Sequence, residues 1–308
     1  MSRYYYSFNQ YLQEKFKQRV HRLSLDAGFS CPNIDGNLSG DGCLFCNNKA
    51  FSRFSNAKKV PLESQIIQSM DYAGRRFGAK KFIAYFQSFT NTYADSEFLS
   101  RQYNTIRKFD DIVGLAISTR PDCIDEEKLD IIESFAGDYA VFIEYGLQSV
   151  HDKTLRRINR NHAFIDFQRA ITQTVQRGIS IGVHVILGLP GENKEDMLET
   201  ARQLSGMPLW GIKFHCLHVV KDTALEELYD KGAITLLCED KYINILVDFI
   251  ELIPKDWVIL RLISDSQKEF LVGPEWINNK PKVLEKIEEE FVRRKSFQGY
   301  KMARPMEN

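Results

Sequence analysis

Residues 28–47, GFSCPNIDGNLSGDGCLFCN, put three of the chain's six cysteines, Cys31, Cys43 and Cys46, into one polar, glycine-rich loop. Three thiols this close in sequence signal a metal or a cluster. A structural zinc site closes with four ligands, and the chain has no second CxxC with which to complete one. An iron–sulfur cluster held by three cysteines leaves one iron open to another ligand. Eleven residues separate Cys31 from Cys43, so spacing alone also leaves open a zinc completed by a histidine such as His21, or free thiols.

The flanks of the loop decide the architecture. Val20 to Leu25 reads as a short strand, so the cysteines fall just past a strand's C-terminal end. Upstream, Tyr5, Phe8, Leu12 and Phe16 recur at helical spacing and predict a helix capping the barrel end. Downstream, strands are expected at Lys81 to Phe86, Asp111 to Ser118, Tyr139 to Tyr145, Ser180 to Leu187 and Gly211 to Val219. Helices are expected between them at Pro61 to Phe77, Ser96 to Lys108, Asp125 to Phe135, Phe164 to Arg177 and Asn193 to Leu204, with Pro61 in a first turn and Gly178 as a stop. Six strand–helix units at about 33 residues each suit repeated βαβ modules. The expected fold is α/β: a partial (βα)6 TIM-like barrel over residues 20–222, a cap over 1–19, and an appended C-terminal α/β region over 223–308 that packs on the barrel. A doubly wound sheet is the alternative, but no GxGxxG follows the first strand.

Such barrels carry their chemistry on the loops after the strands' C-terminal ends. Polar residues gather there: the cysteines, then Gln87 to Thr90, Ser118 to Asp122, Glu144 with Gln148, Gly188 to Glu192, and His215 with His218. Plainer readings stand beside these. Glu144 reads as a buried carboxylate paired with Arg156 or Arg157, and His184 as a core histidine. His215 and His218, three apart on one strand, should face opposite sides, so that only one meets the mouth. Cys123, Cys216 and Cys238 read as structural, Cys238 as core.

With 41 basic and 41 acidic residues among 308, charge gives no hint of a polyanionic partner, and any such surface must be a local patch. No uninterrupted apolar run approaches the roughly 18 residues of a membrane span, so no membrane partner and a cytoplasmic location are expected. In that reducing compartment cysteines serve metals or catalysis rather than disulfides. Toward the end, helices are expected at Glu239 to Leu252 and Lys282 to Arg294, with a strand from Trp257 to Ile263 between them. Arg293, Arg294, Lys295, Lys301 and Arg304 make a modest basic patch, a solvated face or a nucleic-acid contact.

Taken together, the cysteine loop, ISTRPD (117–122), EYGLQSVHDKTLRRINRNH (144–162), HVILGLPGE (184–192) and IKFHCLHVVKDTAL (212–225) resemble the YhcC/YtqA-type radical S-adenosylmethionine (SAM) proteins, a group similar to the Elp3 and coproporphyrinogen dehydrogenase barrels. The resemblance implies a 4Fe-4S cluster on Cys31, Cys43 and Cys46, with SAM on the open iron; the long insertion between the first two cysteines is usual for this group, and Phe45 before the third also fits. It further implies SAM contacts. Gln87 and Ser88 stand in for a glycine-rich turn that receives the amino group, and Ser118 for a ribose-binding carboxylate. Gln148 and Arg160 match the pair that contacts ribose and carboxylate, His184 a ribose contact, and Leu187 to Gly191 with Val219 the apolar support of adenine. The activity implied is release of a 5′-deoxyadenosyl radical that takes a hydrogen atom from a substrate, with an electron donor such as flavodoxin or ferredoxin. For this branch the substrate implied is tRNA, at the wobble uridine, whose carboxymethylaminomethyl group is trimmed to aminomethyl. Tyr4 to Tyr6 and the basic C-terminal end are then candidates to hold a splayed base and its phosphates. The rival readings are a radical SAM enzyme acting on a small metabolite and a non-catalytic zinc scaffold.

Overall fold

The computed structural model of the chain describes residues 4–51, 54, 60–264 and 266–302. It opens with α1 (Phe8–Phe16) and β1 (Val20–Leu25), then α2 (Asn48–Phe51), α3 (Leu62–Phe77) and β2 (Lys81–Phe86). The alternation continues through α4 (Ser96–Asn104), β3 (Ile112–Thr119), α5 (Glu126–Glu133), β4 (Ala140–Gln148), α6 (Asp152–Arg157), α7 (Phe164–Thr174), β5 (Ser180–Leu187), α8 (Lys194–Ser205) and β6 (Gly211–Cys216). Beyond it come β7 (Val219–Val220), α9 (Ala224–Asp230), α10 (Glu239–Glu251), β8 (Val258–Arg261), β9 (Leu271–Gly273) and α11 (Lys280–Arg294). Local chemistry sets the helix ends: Asp95, Asp125 and Asn193 accept backbone N–H groups as N-caps, and Gly78 ends α3 in the left-handed region at φ +65°.

Seven strands form one parallel sheet in the order β1-β2-β3-β4-β5-β6-β8, curled into a half-barrel. The seventh strand is a departure from the six-unit expectation. It comes from the appended region, which extends the sheet beyond β6 as well as packing on it.

Because strand side chains alternate, each strand splits its residues between two surroundings. Leu23, Leu25, Phe82, Ala84, Phe86, Leu115, Ile117 and Val141 point outward into the helix layer, where they meet Ile66, Leu99, Tyr103, Leu129 and Phe167. The opposite set, including Arg22, Tyr85, His184 and Lys213, faces the bore. Apolar-out, polar-in is the reverse of a water-exposed sheet, and it explains why charged residues sit inside otherwise apolar strands.

The bore is closed at the strands' N-terminal end. There α1 inserts Leu12, with Phe8, Tyr11 and Phe16 beside it, among Val20, Ile83, Phe142 and Trp210. Tyr11 meets Trp210 edge-on, with ring centroids 4.9 Å apart. Burial of Leu12 alone contributes about 1.5–3 kcal/mol. The expected cap is therefore a plug at the end opposite the cysteine loop. Ser7 forms a parallel bridge to Ile259, tying the plug to β8.

Candidate active site

The cysteine loop is held from below and across. Cys31 O accepts the N–H groups of Ile34 and Asp35, and Cys43 O accepts that of Cys46 at 3.0 Å. Asn33, fully buried, donates to Asn159 O at 2.6 Å and to Cys43 Sγ at 3.3 Å. Asn159 donates to Gly42 O at 2.5 Å, and Asn161 to Asn33 Oδ1 at 2.6 Å. Asn159 and Asn161 both adopt left-handed backbone, φ +53° and +54°, which asparagine tolerates better than most residues. Arg160 between them is thereby thrown inward. Its Nη2 donates to Gly146 O at 2.6 Å, its Nε to His162 Nε2 at 3.0 Å, and its Nη1 lies 3.5 Å from Cys43 Sγ.

Cys31, Cys43 and Cys46 all line one cavity of about 880 Å³ at the strands' C-terminal ends, toward the upper end of the roughly 300–1,000 Å³ of small-molecule sites. Gln87, Ser88, Ser118, Gln148, Arg160 and His184 line the same cavity. Gln148 takes φ +79° where the β4–β5 register slips between Gly146 and Gln148, a bulge that re-aims its side chain. Val219 stands apart. The sixth strand stops at Cys216, and Val219 pairs instead with β9 in a two-stranded antiparallel ribbon. It is fully buried with Leu155, Ile186 and Leu189; of that apolar cluster, Ile186, Leu217 and Phe45 reach the cavity wall.

The donor set suits an iron–sulfur cluster. Burial, with Cys43 and Cys31 beside it, pushes the Cys46 thiol up to about 12. Crowded thiols ionise poorly alone and fully against metal cations. Arg160 and Asn33 aim N–H groups at the Cys43 sulfur, the kind of contact that tunes a cluster. Among the described residues no three His, Cys, Asp or Glu side chains converge on a single ion. Ligands of a cubane serve separate irons and need not converge. His21, the histidine considered for zinc, stacks on Phe77 with centroids 4.6 Å apart.

One layer deeper, Glu144 is completely buried, and its partners differ from Arg156 and Arg157. Oε1 lies 2.7 Å from Arg22 Nη2; Oε2 meets Tyr85 Oη at 2.9 Å, His184 Nε2 at 2.7 Å and Lys213 Nζ at 3.0 Å. Burial would raise this carboxyl, but Arg22, Lys213 and His184 outweigh it and hold Glu144 well below the usual carboxylate range. Burial pushes His184 down to about 4, Lys213 adding to the effect, and Lys213 itself down to about 7. His215 and His218 both line the cavity, because the strand ends before His218 and alternation no longer applies. The His215 ring accepts from Arg261 Nη2, 2.9 Å from Nδ1.

Other expectations are corrected. Cys238 is exposed at the start of α10 rather than core; Cys123 and Cys216 are buried, and Cys216 also reaches the cavity. Tyr4 stacks on Phe291 at 5.8 Å and Tyr6 bonds Glu14, on the side of the plug rather than the mouth. The C-terminal cations are largely neutralised: Arg293 pairs with Glu290, Arg294 with Asp248 and Glu290, and Lys301 with Asp248 and Glu251. Arg304 lies outside the described residues. No helix among those residues is long and apolar enough to cross a membrane.

A parallel half-barrel whose first strand-end loop turns three sulfurs into a cofactor-sized cavity belongs to the class of barrel enzymes with their chemistry on the C-terminal rim. The chain belongs to the radical SAM superfamily: the profile of that description matches residues 39–204, and that of the radical SAM C-terminal domain matches residues 209–293. It is a radical SAM enzyme, and the cofactors of that superfamily are a 4Fe-4S cluster and SAM. YtqA of Bacillus subtilis is 35% identical over 295 residues, covering 96% of this chain and 92% of its own. A tRNA uridine(34) acetyltransferase of Dehalococcoides mccartyi is 26% identical over 162 residues, 52% of this chain and 35% of its own. Among solved structures, an archaeal Elp3 from Methanocaldococcus infernus shares the fold with a TM-score of 0.62 at 16% identity, over 91% of this chain and 64% of that one.

Proposed function

We propose that this enzyme acts on the wobble uridine of tRNA, converting a carboxymethylaminomethyl side chain to aminomethyl. The hydrogen atom of the C–H bond beside the side-chain carboxylate goes to the 5′-deoxyadenosyl radical, and the carbon radical left behind gives one electron to an acceptor such as the oxidised form of the electron donor. Water hydrolyses the resulting iminium, so that the fragment leaves as glyoxylate. The observation that carries the radical chemistry is the wall formed by Cys31, Cys43 and Cys46 on the same cavity as Arg160 and Gln148. When bound, the cluster and SAM supply the 5′-deoxyadenosyl radical, with the electron coming from a donor such as flavodoxin or ferredoxin. The chain's own part is to hold and to exclude. Arg160 suits the SAM carboxylate by its planar fork, and its bond to Gly146 O fixes that fork in place. Gln148, Ser118 and His184 offer polar atoms to a ribose, Gln87 and Ser88 lie where an amino group is received, and Ile186 with Leu217 and Val219 behind them supplies an apolar bed for adenine. The plug of α1 closes the far end against water.

The wobble-uridine assignment is supported by the likeness to a tRNA uridine(34) acetyltransferase over half the chain. Neither the aromatic N-terminal segment nor the C-terminal cations now add to it, since both are engaged in packing and ion pairs. The test is anaerobic reconstitution with iron and sulfide, then incubation with SAM, reductant and tRNA bearing the carboxymethylaminomethyl group. Nucleoside mass spectrometry should show aminomethyluridine replacing the larger form. Formation of 5′-deoxyadenosine with unchanged tRNA removes the substrate and leaves the radical chemistry. A colourless protein after reconstitution, or colour that survives Cys43→Ala and Cys46→Ala, removes both.

A further inference from the structure

The layer beneath the cysteine rim gathers several basic side chains around a single carboxylate. Arg22, Tyr85, His184 and Lys213 line the cavity, whereas Glu144 lies behind them and is fully buried. Both Glu144 oxygens are engaged, one with Arg22 and the other with Tyr85, His184 and Lys213. Arg22 and Lys213 thus share one carboxylate. No Asp or Glu is among the described residues that line the cavity. Arg22 is held flat between aromatic rings, its Cζ 4.4 Å from the Phe8 centroid and 4.5 Å from that of Tyr85. Its Nε meets no hydrogen-bond acceptor among the described residues.

We propose that Arg22 and Lys213 form a subsite that takes an anionic group of the substrate, and that this group is a carboxylate carried on the base rather than a nucleotide phosphate. The proposal rests on the reading of this cavity as the place where substrate meets the radical. Depth decides between the two anions. Arg22 and Lys213 are each the third residue of their strand, well below the rim. The far end of a splayed base and its side chain reaches that level, while the phosphates of the same nucleotide stay at the mouth. The carboxymethylaminomethyl carboxylate fits, and binding it beside Lys213 sets the neighbouring C–H bond at a fixed height in the bore.

Binding should also carry a proton. Lys213 is faced by Arg22 from β1, Tyr85 from β2, Glu144 from β4, His184 from β5, His215 from its own strand and Arg261 from β8. Burial, with Arg261 and Arg22 adding to it and Glu144 opposing, pushes its ammonium down to about 7. His184 and His215 are held neutral by burial, so Lys213 is the group in this layer that titrates near neutrality. An arriving carboxylate restores the charged form.

The experiment uses the reconstituted holoenzyme with SAM and no reductant. It is titrated calorimetrically above neutral pH with 5-carboxymethylaminomethyluridine, 5-aminomethyluridine and uridine 5′-monophosphate, in buffers of different ionisation enthalpy. The expected result is at least about tenfold tighter binding of the carboxylated nucleoside than of the other two, with net proton uptake. Lys213→Met should lose both, and Lys213→Arg should keep the preference while losing the uptake, cluster absorption being retained in each. Equal binding of the first two nucleosides, or a preference that survives Lys213→Met, overturns the subsite; tighter binding of the monophosphate overturns the carboxylate assignment. Selenate soaked into crystals of the wild-type holoenzyme separates this from the substrate reading. Anomalous density between Arg22 and Lys213 without nucleoside binding sinks the wobble uridine alone, and its absence together with equal nucleoside binding sinks the subsite.

Discussion

Glu144→Gln removes one charge from the barrel interior while keeping the side chain's shape, and its cost follows from which neighbour can adapt. Lys213, already pushed down to about 7, sheds its proton and becomes neutral. Arg22 cannot, because a guanidinium does not deprotonate in proteins. The penalty therefore falls on one buried cation that has lost its partner at 2.7 Å. Breaking a buried ion pair from one side costs about 3–5 kcal/mol. The Arg22 side chain keeps 16% of its exposure, so solvent relieves part of this and the lower figure, about 3 kcal/mol, is expected. At about 2.1 cal/mol/K per residue, 308 residues give an unfolding entropy of roughly 0.65 kcal/mol/K, so Tm should fall by about 5 °C. Calorimetry of the apoprotein at neutral pH reads this directly. A Tm within about 1 °C of wild type refutes the assignment of Glu144 as the shared counter-charge. Adding Arg22→Met to Glu144→Gln should recover stability, because the stranded charge is gone; additive losses would refute the coupling.

Gly146→Ala should weaken SAM binding about tenfold or more while the reconstituted protein keeps its iron and sulfide content, since the new Cβ would stand 2.7 Å from Arg160 Nη2 and 3.0 Å from Gln148 Nε2; equilibrium binding checks it. Gly211→Ala should destabilise the sheet edge, because its Cβ meets Val258 O, a backbone atom, at 2.6 Å; hydrogen exchange in β8 should rise selectively. Acid should unfold the apoprotein early. Burial holds His184 at about 4 and His162 at about 3, so as pH falls below about 6.5 the unfolded chain takes protons that the folded site refuses, costing about 1.4 kcal/mol per pH unit for each. Urea midpoints that stay level or rise between neutral pH and about 5 contradict that sign.

The barrel was legible because its strands announce themselves by apolar runs bounded by turns: β1, β2 and β5 begin and end where the pattern places them. The cysteine loop was legible as a metal or cluster site from three sulfurs after one strand, and the choice of a cluster over zinc or free thiols came from the resemblance of the motifs taken together. Partners across the bore were not. Glu144 draws on β1, β2, β5 and β6, and no local periodicity encodes which strands stand opposite one another. A signal did exist: Arg22 and Lys213 interrupt apolar strands, and a charge inside a buried strand needs a partner inside the barrel. The break after Cys216 was hidden because Leu217, Val219 and Val220 prolong the strand-like pattern, and only the ribbon with β9 ends the strand. The aromatic start misled for the opposite reason, since Tyr4 finds its ring partner near the far end of the chain.

The sheet ends at β1 on one side and β8 on the other, and what spans that seam is the Ser7 bridge and the flank of α1. A closed barrel has its circumference fixed by strand number and shear. Here the circumference is set by one backbone bridge and the side-chain contacts of a single helix. Widening the bore for a guest of larger girth therefore costs that bridge and the apolar contact of α1, while the ladder from β1 through β6 keeps the sulfurs and Arg160 at constant separation.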